Sequence, residues 1–177
     1  MNNAKFKAGD SFPEITLKNI NGDETTLGKP QYGMDWQMVV VYRGRHCPLC
    51  VRYLKQIEAI KQKFYDLNID IIATSGDSEA QAQDMLSKVS VIFPLTYGLS
   101  IEQMKQLGLY ISNPRSPQET DHPFSEPGLF VVNDKGQVQV VDISNAPFAR
   151  PELEALVSGL EFIRNPENNY PIRGTYE

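Results

Sequence analysis

The chain holds two cysteines, Cys47 and Cys50, three residues apart in the run "VVVYRGRHCPLCVRYLKQIE". Two thiols at that spacing can close a disulfide in a small ring and so store and release two electrons without a cofactor. The same spacing can supply half of a zinc site, but zinc takes about four ligands, and the only histidines are His46 and His122. His46 adjoins Cys47 and is badly spaced for joint chelation, so neither a metal nor any other cofactor is expected. Two inert core residues are the remaining alternative, since free cysteine is often buried.

The neighbouring residues bear on which sulfur would react. Pro48 suits the first turn of a helix, where its missing N–H has no partner to lose. That places Cys47 at the N-cap. The first N–H groups of a helix point outward unpaired, and a thiolate at Cys47 can accept from Leu49 or Cys50. The positive end of the helix dipole adds to this, and both effects lower a thiol pKa. Arg43, Arg45 and His46 precede Cys47 and add positive potential. On this reasoning Cys47 attacks and Cys50 resolves.

The elements needed to hold such a pair are visible in the hydrophobic pattern. Residues 37–42 (QMVVVY) and 69–74 (IDIIAT) are continuous apolar runs of the kind buried on both faces of a sheet. Between them Leu49, Tyr53, Leu54, Ile57, Ile60 and Phe64 recur at helical spacing, with an end near Asn68. Residues 12–19 and 24–27 flank Asn21-Gly22 and read as a hairpin. Residues 78–89, 100–107 and 151–164 read as helices, 93–95 as a short extended piece, and 129–132 with 138–141 as a closing hairpin. Strands alternating with helices imply parallel pairing by right-handed crossovers. The expected fold is α/β: a mixed central sheet with helices on both faces and an N-terminal β-hairpin.

The 177 residues suffice for a single domain spanning 1–177. Residues 111–126, with three prolines, read as a long surface loop, and 165–177 as a polar C-terminal tail. A net charge of −5 argues against an electrostatic nucleic-acid binder. No apolar stretch approaches the ~18 residues of a membrane span, so no membrane partner is expected. The start, MNNAKFKAGD, has no apolar signal core. A cytoplasmic location follows as an expectation, and there a close cysteine pair is more often catalytic or metal-binding than structural.

Several stretches together resemble one family. "GDSFPEITLKNINGDETTL", "VVVYRGRHCPLC", "IIATSGDS" with "FPLTYG", and "PGLFVVNDKGQV" are similar to segments of the peroxiredoxins, the alkyl hydroperoxide reductase and thiol-specific antioxidant group of the thioredoxin superfamily. The likeness spans nearly the whole chain and implies a thioredoxin-like fold. It also implies an antioxidant oxidoreductase that reduces a hydroperoxide through a Cys47–Cys50 disulfide. An external thiol such as thioredoxin or glutathione would restore the pair.

The chain departs from the family's PxxxTxxC pattern. The attacking cysteine of that pattern falls on Cys50, its threonine on Cys47 and its proline on Arg43. The family's arginine falls at or near Pro127. This overlay makes Cys50 the attacker, the reverse of the helix-cap reasoning. A CxxC at this place resembles thioredoxins, and Pro127 then resembles their cis-proline beside the disulfide. The candidate site is therefore Cys47, Cys50 and Arg43, with His46 and Pro127 contacting substrate. A thiol–disulfide oxidoreductase without peroxidase activity and a non-enzymatic sensing module are the competing readings. A homodimer is compatible with the polar tail lying on a neighbouring subunit. Asp77 is expected to cap or turn, and Trp36 to pack rather than to form a contact surface.

Overall fold

The computed structural model describes residues 6–177. The first five residues, part of the stretch read for a signal, lie outside the described residues. In chain order the elements are β1 (Thr16–Lys18), β2 (Glu24–Thr26), β3 (Trp36–Val41), α1 (Pro48–Tyr65), β4 (Ile69–Thr74), α2 (Glu79–Val89), β5 (Leu95–Thr96), α3 (Ile101–Gln106), β6 (Ile111–Ser112), β7 (Phe124–Ser125), β8 (Gly128–Val132), β9 (Val138–Ile143) and α4 (Leu153–Arg164), with a 3-10 turn at Pro166–Asn168.

The central sheet has the order β5-β4-β3-β8-β9. β3, β4 and β5 run parallel, and β8 and β9 are antiparallel additions. β3 and β4 are buried at every residue, as their largely apolar sequences require. Successive side chains divide between the two faces. Met38, Val40, Ile69, Ile71 and Val131 face α1, α2 and α4, meeting Leu54, Ile57, Met85 and Leu160. Val39, Val41, Ile72, Phe130 and Val132 face α3 and the N-terminal residues Ile15 and Leu27. The expected mixed sheet with helices on both faces and an N-terminal β1–β2 hairpin is the fold observed.

Local differences have physical reasons. The first strand shrinks from 12–19 to β1, because Pro13 has no N–H for a ladder and Phe12 instead packs edge-on against Phe130 at 5.7 Å. α1 ends at Tyr65 rather than near Asn68; Asn68 takes φ 59°, and its carbonyl accepts from the Asp35 and Trp36 amides. Segment 111–126 is not loop throughout: β6 pairs with β7, and Phe124, Ser125 and Glu126 are buried. No helix among the described residues is long and apolar enough to cross a membrane.

One consequence of register positions the site. Val41 pairs with Gly128, and Gly128 pairs with Ile143. The end of β3, the start of β8 and the end of β9 therefore lie side by side. The turn into α1, the Glu126-Pro127 step and the irregular segment 144–150 converge there.

Ile57 is fully buried between α1 and the sheet, so Ile57→Ala should lower unfolding free energy by about 2–5 kcal/mol. The exposed neighbour Gln56 should tolerate alanine within about 0.5 kcal/mol. Urea unfolding of both variants measures the difference.

Candidate active site

Cys47 is the N-cap of α1, with φ −106° and ψ 103°, and Pro48 occupies the first turn. The Cys50 amide donates to Cys47 Sγ at 3.2 Å. The two cysteines form a disulfide with Cα atoms 5.2 Å apart. They are bonded to each other, not two separate core residues. Both are nearly inaccessible, Cys47 at 1% and Cys50 at 0%.

The sequence reading missed Arg150. Its Nη2 donates to Cys50 Sγ at 2.9 Å, another guanidinium nitrogen contacts the Pro147 carbonyl, and the group lies 5.1 Å from the centre of the Tyr53 ring. Burial is the main influence pulling its pKa down, to about 10, with Arg43 adding to the fall and Tyr53 and Glu126 opposing it. It stays charged at neutral pH. The Tyr53 hydroxyl donates to the Pro151 carbonyl at 2.8 Å, which ties the residue that follows segment 144–150 to α1.

Arg43 approaches Glu126, with Nε 3.0 Å from Oε2, although neither atom has an aligned hydrogen bond. The other Glu126 oxygen accepts from Ser112 Oγ at 2.8 Å. The Arg43 guanidinium lies 4.7 Å above the Phe124 ring centre. His46 meets the same ring edge-on at 4.6 Å. Burial first, then Arg43, depress the His46 pKa to about 4, so its imidazole is neutral at physiological pH. Neither ring nitrogen has a hydrogen-bond partner.

Asp77, expected as a cap or turn residue, instead anchors the loop before Cys47. The capping box of α2 belongs to Ser78 and Gln81. Asp77 is fully buried; its Oδ2 accepts from the Arg45 amide at 2.8 Å, and its Oδ1 lies 3.2 Å from His122 Nε2. Gly44, at φ 150°, has no room for a side chain: a Cβ would lie 2.7 Å from Asp77 Oδ1 and 2.9 Å from His46 Nδ1.

Pro127 lines a small cavity with Tyr53, Asp142 and Arg150. The expectation of a cis peptide there is corrected: no peptide among the described residues is cis. The trans chain already uses the hydrogen bonds flanking the step. Glu126 N–H donates to the Tyr110 carbonyl, and the Pro127 carbonyl accepts from Ser144 N–H. Trp36 is buried, carries Arg164 4.4 Å above its ring, and packs at the other end of β3.

Cys47, Cys50, Arg43, His46 and Pro127 thus gather at one end of the sheet, joined by Arg150 and Glu126. Among the described residues, the buried side-chain atoms without an aligned hydrogen bond are Tyr42 OH, Arg43 Nε, both His46 ring nitrogens, Thr74 Oγ1 and Glu126 Oε2, of which Arg43 Nε and Glu126 Oε2 face each other as an ion pair. These residues sit at or just beyond the ends of β3 and β4, or before β8. Leaving a buried polar group unpaired costs about 1–3 kcal/mol, so this end of the sheet carries a cost that the apolar layers do not.

A family model described as Redoxin matches residues 7–157. No curated protein matches the chain. Among solved structures, peroxidoxin BcpB from Mycobacterium tuberculosis is similar at 16% identity and TM-score 0.73, covering 90% of this chain and 99% of that one. AhpC of Mycobacterium bovis is similar at 15% identity and TM-score 0.72, covering 98% and 99%. The mitochondrial 2-Cys peroxiredoxin of Plasmodium falciparum is similar at 15% and 0.73, covering 95% and 100%. At such identities the likeness is one of fold.

His46 links the site to acid stability. Its folded pKa, about 4, lies below the ordinary 6.5. Between those values the unfolded chain binds a proton at His46 that the folded chain does not, so stability falls as pH drops through that window. His46→Gln should flatten this limb in urea midpoints measured against pH. An unchanged slope would count against a buried neutral imidazole.

Proposed function

The chain belongs to the Redoxin family and has the peroxiredoxin-like thioredoxin fold, and on that premise we propose that it is a thiol peroxidase in which Cys50 attacks a hydroperoxide and Cys47 resolves. The observation that carries this assignment is the Arg150 guanidinium 2.9 Å from Cys50 Sγ. Helix-cap reasoning favoured Cys47, whose sulfur accepts a main-chain N–H. A hydrogen bond from a charged donor is about twice as strong as a neutral one, and a full cation also favours the anion that leaves when the O–O bond breaks.

In the cycle, the Cys50 thiolate attacks one peroxide oxygen and the O–O bond breaks. The alkoxide, or hydroxide, leaves and takes up a proton, and Cys50 becomes a sulfenic acid. Cys47 then attacks the sulfenic sulfur. The S–S bond forms, and hydroxide departs with the thiol's proton as water. An external dithiol or two equivalents of a monothiol, in the class of thioredoxin or glutathione, supplies the two electrons and two protons that reopen the disulfide. His46 contributes unpaired ring nitrogens to receive the peroxide, Arg43 stands beside it paired with Glu126, and Pro127 with Tyr53 forms an apolar wall. Because both cysteines are buried, substrate entry needs segment 144–150 to give way. A reducing compartment such as the cytoplasm suits this cycle.

A second reading, thiol–disulfide exchange on a protein substrate, draws on the amide held against Cys47 Sγ, which suits an attacking Cys47. Stopped-flow oxidation by hydrogen peroxide or an alkyl hydroperoxide separates the two. Under the peroxidase reading Cys47→Ser keeps the first oxidation and accumulates a sulfenic acid that dimedone traps. Cys50→Ser reacts no faster than free cysteine, and Arg150→Met slows the first step by about 100-fold. Fast insulin reduction with peroxide reactivity at the level of free cysteine would favour the exchange reading.

A further inference from the structure

Glu126 has no part in the cycle so far, yet a carboxylate that is only 4% exposed must be compensated, because an unpaired buried charge is costly. One oxygen is held by Ser112, and the other lies 3.0 Å from Arg43 Nε. Arg43 and Glu126 both act electrostatically on Arg150, the group that touches Cys50 Sγ. Two guanidinium groups therefore share this end of the sheet with the buried Glu126 carboxylate. The ionisable groups around Arg150 and Cys50 are Arg43, Arg52, His46, Tyr53, Glu126, Asp142, Glu152 and the helix cap residue Cys47, with Glu119 acting on Arg43 and His46.

We infer that Glu126 is a positioning residue of the redox site: it cancels the charge of Arg43 and fixes that side chain over Phe124, so that Arg150 alone supplies net positive charge at Cys50. The residue names follow this logic. Were Arg43 uncompensated, its charge would oppose that of Arg150. Were it absent, Glu126 would stand as an uncompensated anion near a thiolate, which disfavours the thiolate. The pair thus sets how readily Cys50 ionises without touching substrate. This inference rests on Cys50 being the attacking sulfur.

The test uses Cys47→Ser protein, so that Cys50 is the one thiol, and follows its alkylation by iodoacetamide against pH. Added to that background, Glu126→Gln removes a negative charge while keeping the Ser112 hydrogen bond, and should lower the midpoint by about one unit. Arg43→Met should raise it by about one unit. The double variant Arg43→Met with Glu126→Gln should return it to the starting value. A merely structural role for Glu126 would leave the midpoint in place or move both single variants the same way, and either result overturns the inference, as does a double variant whose shifts fail to cancel. If Glu126→Gln alone does not fold, the same balance predicts that the double variant restores folded protein, since neutral replacement of a buried pair is tolerated better than breaking it; a double variant that also fails overturns it. Alkylation needs only a reactive thiol. A parent protein without peroxidase activity would defeat the peroxidase reading and leave this result interpretable.

Discussion

On the proposed cycle a sulfur anion must be stable in a place almost closed to water, and that electrostatic demand organises the rest of the structure. Water cannot solvate either cysteine, because both are buried. Two groups stand in the place of water: the Cys50 amide at the start of α1 for Cys47 and the Arg150 guanidinium for Cys50. Neither works unless the helix begins at that point and the segment after β9 crosses back over it. The parallel β3–α1–β4 unit sets the first, and the register of β3, β8 and β9 sets the second.

The same demand explains an otherwise expensive accumulation of polar groups. Arg43, Glu126 and Arg150 are largely withdrawn from water, and Asp77 is fully so, its carboxyl pKa raised by that burial. Each is offset locally. Asp77 holds the Arg45 amide, Glu126 faces Arg43, and Phe124 gives its ring to Arg43 and its edge to His46. The orphaned atoms that remain are clustered at this end rather than spread through the core. The proposed chemistry gives a reason for that cost, while the two apolar layers around β3 and β4 carry the fold.

Much of this was legible in the sequence, and the reasons differ by element. The runs QMVVVY and IDIIAT could be buried strands because nothing polar interrupts their apolar residues beyond Asp70, whose carboxylate is satisfied by Gln37, Gln31 and its own neighbour. The helical spacing from Leu49 to Phe64 and the proline at the first turn placed Cys47 at the cap correctly. Arg150 was not legible locally: it lies 100 residues from Cys50 in a segment without periodicity. A topological signal was present all the same. A closing hairpin beside β3 returns the chain to the end of the sheet where the cysteines lie, so the connection into α4 had to pass them. Pro127 misled because its neighbourhood resembles that of a cis-proline, while the hydrogen bonds of Glu126 and Pro127 suit a trans step. Glu126 gave no sign, since its burial depends on β6 and β7 closing the base of a segment that reads as loop.

The measurement that bears most directly on this account is the pH titration of thiolate ultraviolet absorbance in the fully reduced protein. The arrangement of amides and guanidinium predicts that one of the two thiols ionises well below the value of about 8.5 for free cysteine. If both thiols instead ionise at or above that value, burial outweighs the amides and the guanidinium, and the site is not built to hold a sulfur anion.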